Sequence, residues 1–242
     1  NNFTVNNLTA IDQTTDTCTN NFATLNALQA GSYGTLSNGN LTWFGNTAAN
    51  QGNVYPTIYS DVSGKWYWEV KIEVNNGVNY PVVGLAGDVG NRAFGVLNGG
   101  TAAQGNYNSS TDVRWNWNTT TIYSPDGDVT VTAFGNNDII MFALDRDNGE
   151  FYMGRNGTWL NSGDPTSGAT GTGSILSFTS SGTAQAVLLS TYNGSQLSIN
   201  FGNPPFTISS GNTDGNDRGN FEYAVPSGYL SLCTANLSEV LG

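Results

Sequence analysis

The sequence contains no histidine, and its 242 residues include only two cysteines and seven lysines and arginines. Each shortage narrows the function. Without histidine, and with Cys18 and Cys233 in no Cys-x-x-Cys pair, a zinc site is disfavoured. Serine nucleophile chemistry lacks its base, and no Gly-x-Ser-x-Gly elbow or phosphate loop occurs. Seven cations stand against 18 acidic residues, for a net charge of −11. No Lys/Arg run exists to release counterions, so nucleic acid is disfavoured as a partner. No apolar run approaches the roughly 20 residues of a spanning helix, which argues against membrane insertion. No secretory leader is visible. The chain begins at Asn1 rather than Met, which points to a processed chain or a portion of a longer one.

What is present favours strands. Charged residues make up 10% and aromatics 12%, beside 31 glycines, 33 asparagines and 49 serines plus threonines. Such a surface is polar through amides and hydroxyls. Lys and Glu, the usual helix-surface residues, are scarce, while Thr, Val, Ile and aromatics suit strands. The stretch 64–74, Gly-Lys-Trp-Tyr-Trp-Glu-Val-Lys-Ile-Glu-Val, sets the pattern. Trp66, Trp68, Val70, Ile72 and Val74 share one face at period two, and Tyr67, Glu69, Lys71 and Glu73 share the other. Two indoles facing inward predict a central strand.

The same reading predicts a hairpin at Leu36–Leu41, turning at Asn38-Gly39, and a small-residue loop at 46–53. Strands are predicted at 57–59, 80–86, 129–134, 150–154, 184–190 and 196–201. Residues 113–123 are a further segment, holding Trp115 and Trp117. The run Ile139–Leu144 is nearly all apolar and should be buried on both faces. No segment of 12 residues has a helical period. Many short strands at close spacing predict one antiparallel all-β sandwich over residues 31–242, preceded by an extended arm over residues 1–30.

Candidate chemistry is sparse. Glu69 and Glu73 share a strand face, as paired glycosidase carboxylates would. Four residues on a strand span roughly 13 Å, against the ~5–5.5 Å a retaining glycosidase needs. Lys71 between them predicts an ion-paired outer face, so no catalytic residue is assigned. Asp145-Arg-Asp-Asn-Gly-Glu150 resembles half a calcium loop, but the twelfth position is Asn156 and the stretch reads as a turn. No metal or cofactor is expected. Arg114, Trp115 and Trp117, with Tyr107 and Tyr123, form a candidate aromatic ledge for a sugar or a protein loop. The shared face of the two tryptophans fits a core placement as well. Cys18 and Cys233 either bridge the termini, which would imply an oxidising compartment, or are two small buried thiols. Eight Asn-x-Ser/Thr sequons are about what this composition gives by chance, so they carry no evidence of glycosylation.

Several stretches together resemble the SPRY domain, a concanavalin-like β-sandwich. They are Gly64-Lys-Trp-Tyr-Trp-Glu-Val70, Val83-Gly-Leu-Ala86, Asn137-Asp-Ile-Ile-Met-Phe-Ala-Leu-Asp145, Asp147–Gly157 and Leu197-Ser-Ile-Asn-Phe-Gly202 with Pro205-Phe206. Asn137, Met141 and Arg155 depart from that pattern. The flanks Asp16–Asn26 and Pro226–Leu237 resemble segments of SPRY-bearing structural proteins of environmental tailed phages. The resemblance implies a non-catalytic, tail-fibre-like or adhesion module at a virion surface. Its partners would be other virion subunits, copies of itself, and a host glycan or protein. The rival is a subunit of an extracellular filament or surface adhesin. Loops 44–57, 98–118 and 161–183 are the expected recognition elements, because rigid sheets commonly present variable loops.

Overall fold

The computed structural model describes residues 16–46, 52–60, 63–75, 81–87, 112–117, 119–179 and 185–241. In chain order the strands are β1 (Gly34–Ser37), β2 (Thr42–Gly45), β3 (Gly52–Val54), β4 (Lys65–Val74) and β5 (Val82–Ala86). Then come β6 (Val113–Asn116), β7 (Thr121–Tyr123), β8 (Val129–Thr130), β9 (Ile139–Asp145) and β10 (Glu150–Arg155). The chain ends with β11 (Thr158–Trp159), β12 (Leu176–Ser177), β13 (Ala186–Thr191), β14 (Gln196–Asn200), β15 (Leu230–Ser231) and α1 (Thr234–Leu241).

Two sheets form. The larger runs β1-β2-β14-β4-β9-β10-β11, with β12 on β10 and β15 on β4, and the smaller runs β3-β13-β5-β6-β7-β8. Among the described residues pairing between strands is antiparallel apart from β15, which lies parallel to β4. The stretch singled out in the sequence is thus an interior strand of the larger sheet, between β14 and β9. The fold is an all-β, concanavalin-like sandwich, as expected.

Period-two alternation builds the main core. Trp66, Trp68, Val70 and Ile72 of β4 meet Val83, Leu85, Val113, Trp115, Val187 and Leu189 of the other sheet in one buried cluster. Trp68 stacks on Phe142 at 5.5 Å between ring centroids, and Phe142 stacks on Phe151 at 6.2 Å, so aromatic rings bridge β4, β9 and β10. Trp43 lies so close to Gly34 that a Cβ there would stand 2.2 Å from its ring, and its indole N–H donates to the Gly52 carbonyl at 3.0 Å. The expected Asn38-Gly39 turn does join β1 to β2, with both residues at positive φ.

The outer face of the larger sheet departs from expectation. Tyr67 and Glu69 are fully buried, not solvated. Residues 206–229 form a further layer on this face, where Phe221 and Tyr229 join Tyr67, Met141, Ala143 and Tyr152 in a second core. Phe221 meets Tyr67 edge-on at 5.1 Å. This layer explains why every residue of β9 is buried. It also corrects the reading of Glu69, Lys71 and Glu73 as one ion-paired surface. Lys71 bonds Glu73 at 3.0 Å, while Glu69 belongs to the covered half of the strand.

Smaller corrections follow from pairing. Residues 57–59 form no strand, and the strand of that region is β3, which begins inside the expected small-residue loop. Residues 113–123 are two paired strands, β6 and β7. The short helix α1 went unforeseen. Its N-terminal residues bond the arm: Thr234 N–H donates to Asn21 O at 3.0 Å and Ala235 N–H to Asn20 Oδ1 at 3.2 Å. Among the described residues the arm also buries Phe22, Ala23 and Leu25. Phe22 bridges Cys233, and Leu25 bridges Pro56.

Candidate functional site

The proposed ledge begins on β6 and β7. Arg114 and Tyr123 are register partners, and the Arg114 guanidinium lies 4.6 Å from the Tyr123 ring centroid, a cation–π contact on a half-buried surface. They sit on the outer face of the smaller sheet. Further along the same row comes Gly84, which presents no side chain, and then Leu188. Alternation sends Trp115 the other way. It is fully buried, meets Phe134 edge-on at 4.8 Å, and donates its indole N–H to Thr119 O at 3.2 Å. Trp117 is half-buried, tilted against Phe134 at 5.8 Å. Tyr107 lies outside the described residues. The five-residue ledge is therefore divided. Arg114 and Tyr123 form a surface pair, whereas Trp115 serves the core, because neighbours on a strand point to opposite faces.

The expected recognition loops differ in kind. Of 44–57, residues 47–51 lie outside the described part, and 52–54 are strand β3. Most of 98–118 also lies outside it. Of 161–183, residues 180–183 lie outside the described part, and 161–179 are tied down: Ile175 N–H donates to Phe151 O at 2.7 Å, Phe178 N–H to Gly149 O at 2.8 Å, and the Tyr229 hydroxyl to Pro165 O at 3.0 Å.

The buried carboxylates are occupied by structural partners. Glu69 Oε1 accepts from the Tyr67 hydroxyl at 2.9 Å and Tyr223 N–H at 2.8 Å. Its Oε2 accepts from Asn200 Nδ2 at 3.1 Å and Glu222 N–H at 3.0 Å. Burial pushes this carboxyl above the usual range, against the pull of those four donors. Burial first, then the charge of Glu69, pushes the Tyr67 phenol well up, so it remains a donor. The carboxylate is thus a clamp between β4 and the covering layer.

Asp145 closes its own turn and pairs with Lys65 at 2.8 Å, so the half-calcium pattern is a hairpin. Gly149 serves that turn at φ 74°, where a Cβ would stand 1.9 Å from Phe178 O. Among the described residues no group of three or more acidic or cysteine side chains is placed to hold a metal. Cys18 is exposed and Cys233 buried, and both are free. The arm meets the C-terminal segment through Phe22 instead, which corrects the disulfide alternative.

Asp214 organises the C-terminal closure. Its Oδ1 accepts the N–H groups of Asn216 and Arg218, each at 2.9 Å. Its Oδ2 accepts Ser231 N–H at 2.8 Å, the Ser231 hydroxyl at 2.6 Å and Asn236 Nδ2 at 2.7 Å. Burial raises this carboxyl, but the donors outweigh it and hold it below the usual range. The unfolded chain then binds more protons than the folded one between the lowered value and the ordinary Asp value. Stability from Asp214 is present above roughly pH 4 and lost as pH falls through the folded value. Urea unfolding between pH 2 and 5 should show a smaller acid dependence for Asp214→Asn than for the wild type. An unchanged dependence would remove Asp214 from the acid response.

The fold is a SPRY-like β-sandwich. The SPRY domain of human HERC1 matches with a TM-score of 0.52 at 15% identity, over 72% of this chain and 96% of that chain. Stonustoxin matches with a TM-score of 0.44 at 16% identity, over 74% of this chain and 27% of its own. No protein-family model and no curated protein sequence matches the chain.

Proposed function

We propose that the chain is a non-catalytic recognition and structural module at a virion surface, binding a protein or glycan on the host. The observation that carries the binding part is the SPRY-like sandwich itself, a rigid two-sheet body with the Arg114–Tyr123 pair on an outer sheet face. Arg and Tyr are enriched among residues that dominate binding energy. The virion placement is supported by the resemblance of the flanks to phage structural proteins. Those flanks pack against each other here, with Ala23 N–H donating to Leu232 O at 2.8 Å. Copies of the chain and other virion subunits are the remaining partners in this reading.

The test has two parts. Antibody against the chain, viewed by electron microscopy on the source particles, should decorate the virion surface. Label on a cellular filament instead would overturn the virion placement in favour of an adhesin. Arrayed glycans and host surface proteins should then yield a ligand for the isolated chain. Arg114→Ala is expected to weaken that binding by roughly 30-fold, the equivalent of about 2 kcal/mol, with Tm unchanged. Full affinity in that variant would move recognition away from the pair.

A further inference from the structure

Lys65, Asp145 and Glu150 lie in one row across the larger sheet. Lys65 is opposite Asp145 in the β4–β9 register, and Glu150 is opposite Asp145 in the β9–β10 register. Lys65 Nζ stands 2.8 Å from Asp145 Oδ2, with the Asp145 side chain 1% exposed and that of Lys65 23%. Asp145 Oδ1 accepts the N–H groups of Asp147 and Asn148, each at 3.0 Å. Oδ2 also accepts Asn148 Nδ2 at 2.7 Å. Glu150 is buried, and its Oε2 accepts the Ser177 hydroxyl at 2.8 Å. Gly171 packs over it so closely that a Cβ there would stand 2.7 Å from Oε1. The Tyr229 ring lies 5.8 Å from Lys65 Nζ.

We propose that this row forms an intramolecular isopeptide bond between Lys65 Nζ and Asp145 Cγ. Three features favour the reaction. The amine and the carboxyl are held together by adjacent strands, which removes the entropy cost of meeting. Two backbone N–H groups already point at Oδ1, where negative charge develops when nitrogen adds to Cγ. Glu150 occupies the neighbouring register position, where opposite side chains have Cβ atoms about 4.5–5.5 Å apart, and can relay a proton. The atoms balance without any added reagent. One proton passes from Nζ to Oδ2, and the nitrogen lone pair forms the N–C bond. A second proton travels by way of Glu150 to the departing oxygen. The Cγ–Oδ2 bond breaks and water leaves, while the third proton stays on the amide nitrogen. Two other ion pairs among the described residues lack this setting. Lys71 and Glu73 are both about a fifth exposed on a single strand, and Arg155, at 3.9 Å from Asp138, offers a guanidinium rather than an amine.

The intact mass of the denatured full chain tests this. It should fall about 18 Da, one water, below the mass of the sequence. Trypsin should spare the bond after Lys65 and release a branched peptide joining residues 1–71 to residues 115–146. Lys65→Arg keeps the ion pair and should restore the full mass with an unchanged circular dichroism spectrum. Glu150→Gln should slow the appearance of the lighter species after refolding by on the order of 10²-fold. A wild-type chain that is natively folded, aged for days and still of full mass overturns the proposal. So does a water deficit that persists in Lys65→Arg, and a Glu150→Gln rate equal to that of the wild type removes the relay.

Discussion

Replacing Glu69 with alanine should cost about 3–5 kcal/mol, the magnitude expected when one partner of a buried charged network is removed. Four donors would lose their acceptor at once: the Tyr67 hydroxyl, Asn200 Nδ2, and the N–H groups of Glu222 and Tyr223. Two of these are backbone groups of the covering layer, and they have no rotamer to change. For a chain of this size the loss corresponds to a fall of roughly 6–20 °C in Tm, measurable by calorimetry. Glu73→Gln is the control. Its partner Lys71 lies at the margin of the covered face, about a fifth exposed like Glu73 itself, and a solvent-accessible pair of that kind is worth roughly 0–1 kcal/mol. Equal, small effects from the two substitutions would return Glu69 to the surface and dismantle the layer.

The pH dependence of the same residue has a definite sign. Burial holds its carboxyl above the ordinary Glu value, so the folded chain binds the extra proton in the window between them. Stability from this group is therefore greatest below the ordinary value and falls as pH rises through the raised one. Asp214 acts in the opposite sense at lower pH. Glu69→Gln should flatten the dependence above roughly pH 4.3, where Asp214 no longer contributes.

Phe142→Ala should produce a loss of similar size, about 3–5 kcal/mol, through a different mechanism. Phe142 is fully buried between Trp68 and Phe151, stacked on both. Its removal opens a cavity between rings carried by three strands, which cannot all move inward without breaking the ladders of β4, β9 and β10. Urea unfolding should show a lower midpoint with an unchanged slope. Phe44 provides the contrast, because it is 37% exposed at the end of β2 and its truncation should cost less than about 0.5 kcal/mol. A Phe142→Ala chain as stable as the wild type would mean that the stack carries no packing energy.

The sequence by itself determined the all-β class, strand β4 and the inward set that β4 gives the main core. Trp66, Trp68, Val70 and Ile72 recur at period two, and a pleated strand has no other way to gather them on one face. It also determined the Asn38-Gly39 hairpin, because that dipeptide accepts positive φ readily. The aromatic ledge was legible as a composition but not as a surface. Alternation separates Arg114 from Trp115, and only the pairing of β6 with β7 sets Arg114 over Tyr123. Asp214 left little trace, since its donors come from both its own turn and residues 231 and 236.

The tertiary structure alone decided what covers the second face of β4. Tyr67, Glu69, Lys71 and Glu73 read as one polar edge, because alternation reports which side chains share a face and not whether that face is wet. Residues 206–229 return across the larger sheet from more than 130 positions away. They bury Tyr67 and Glu69 and leave Lys71 and Glu73 at the margin. A carboxylate that local pattern assigns to water becomes the clamp of a third layer, because three of its four donors, Asn200 Nδ2 and the N–H groups of Glu222 and Tyr223, come from segments that only the folded chain brings to it.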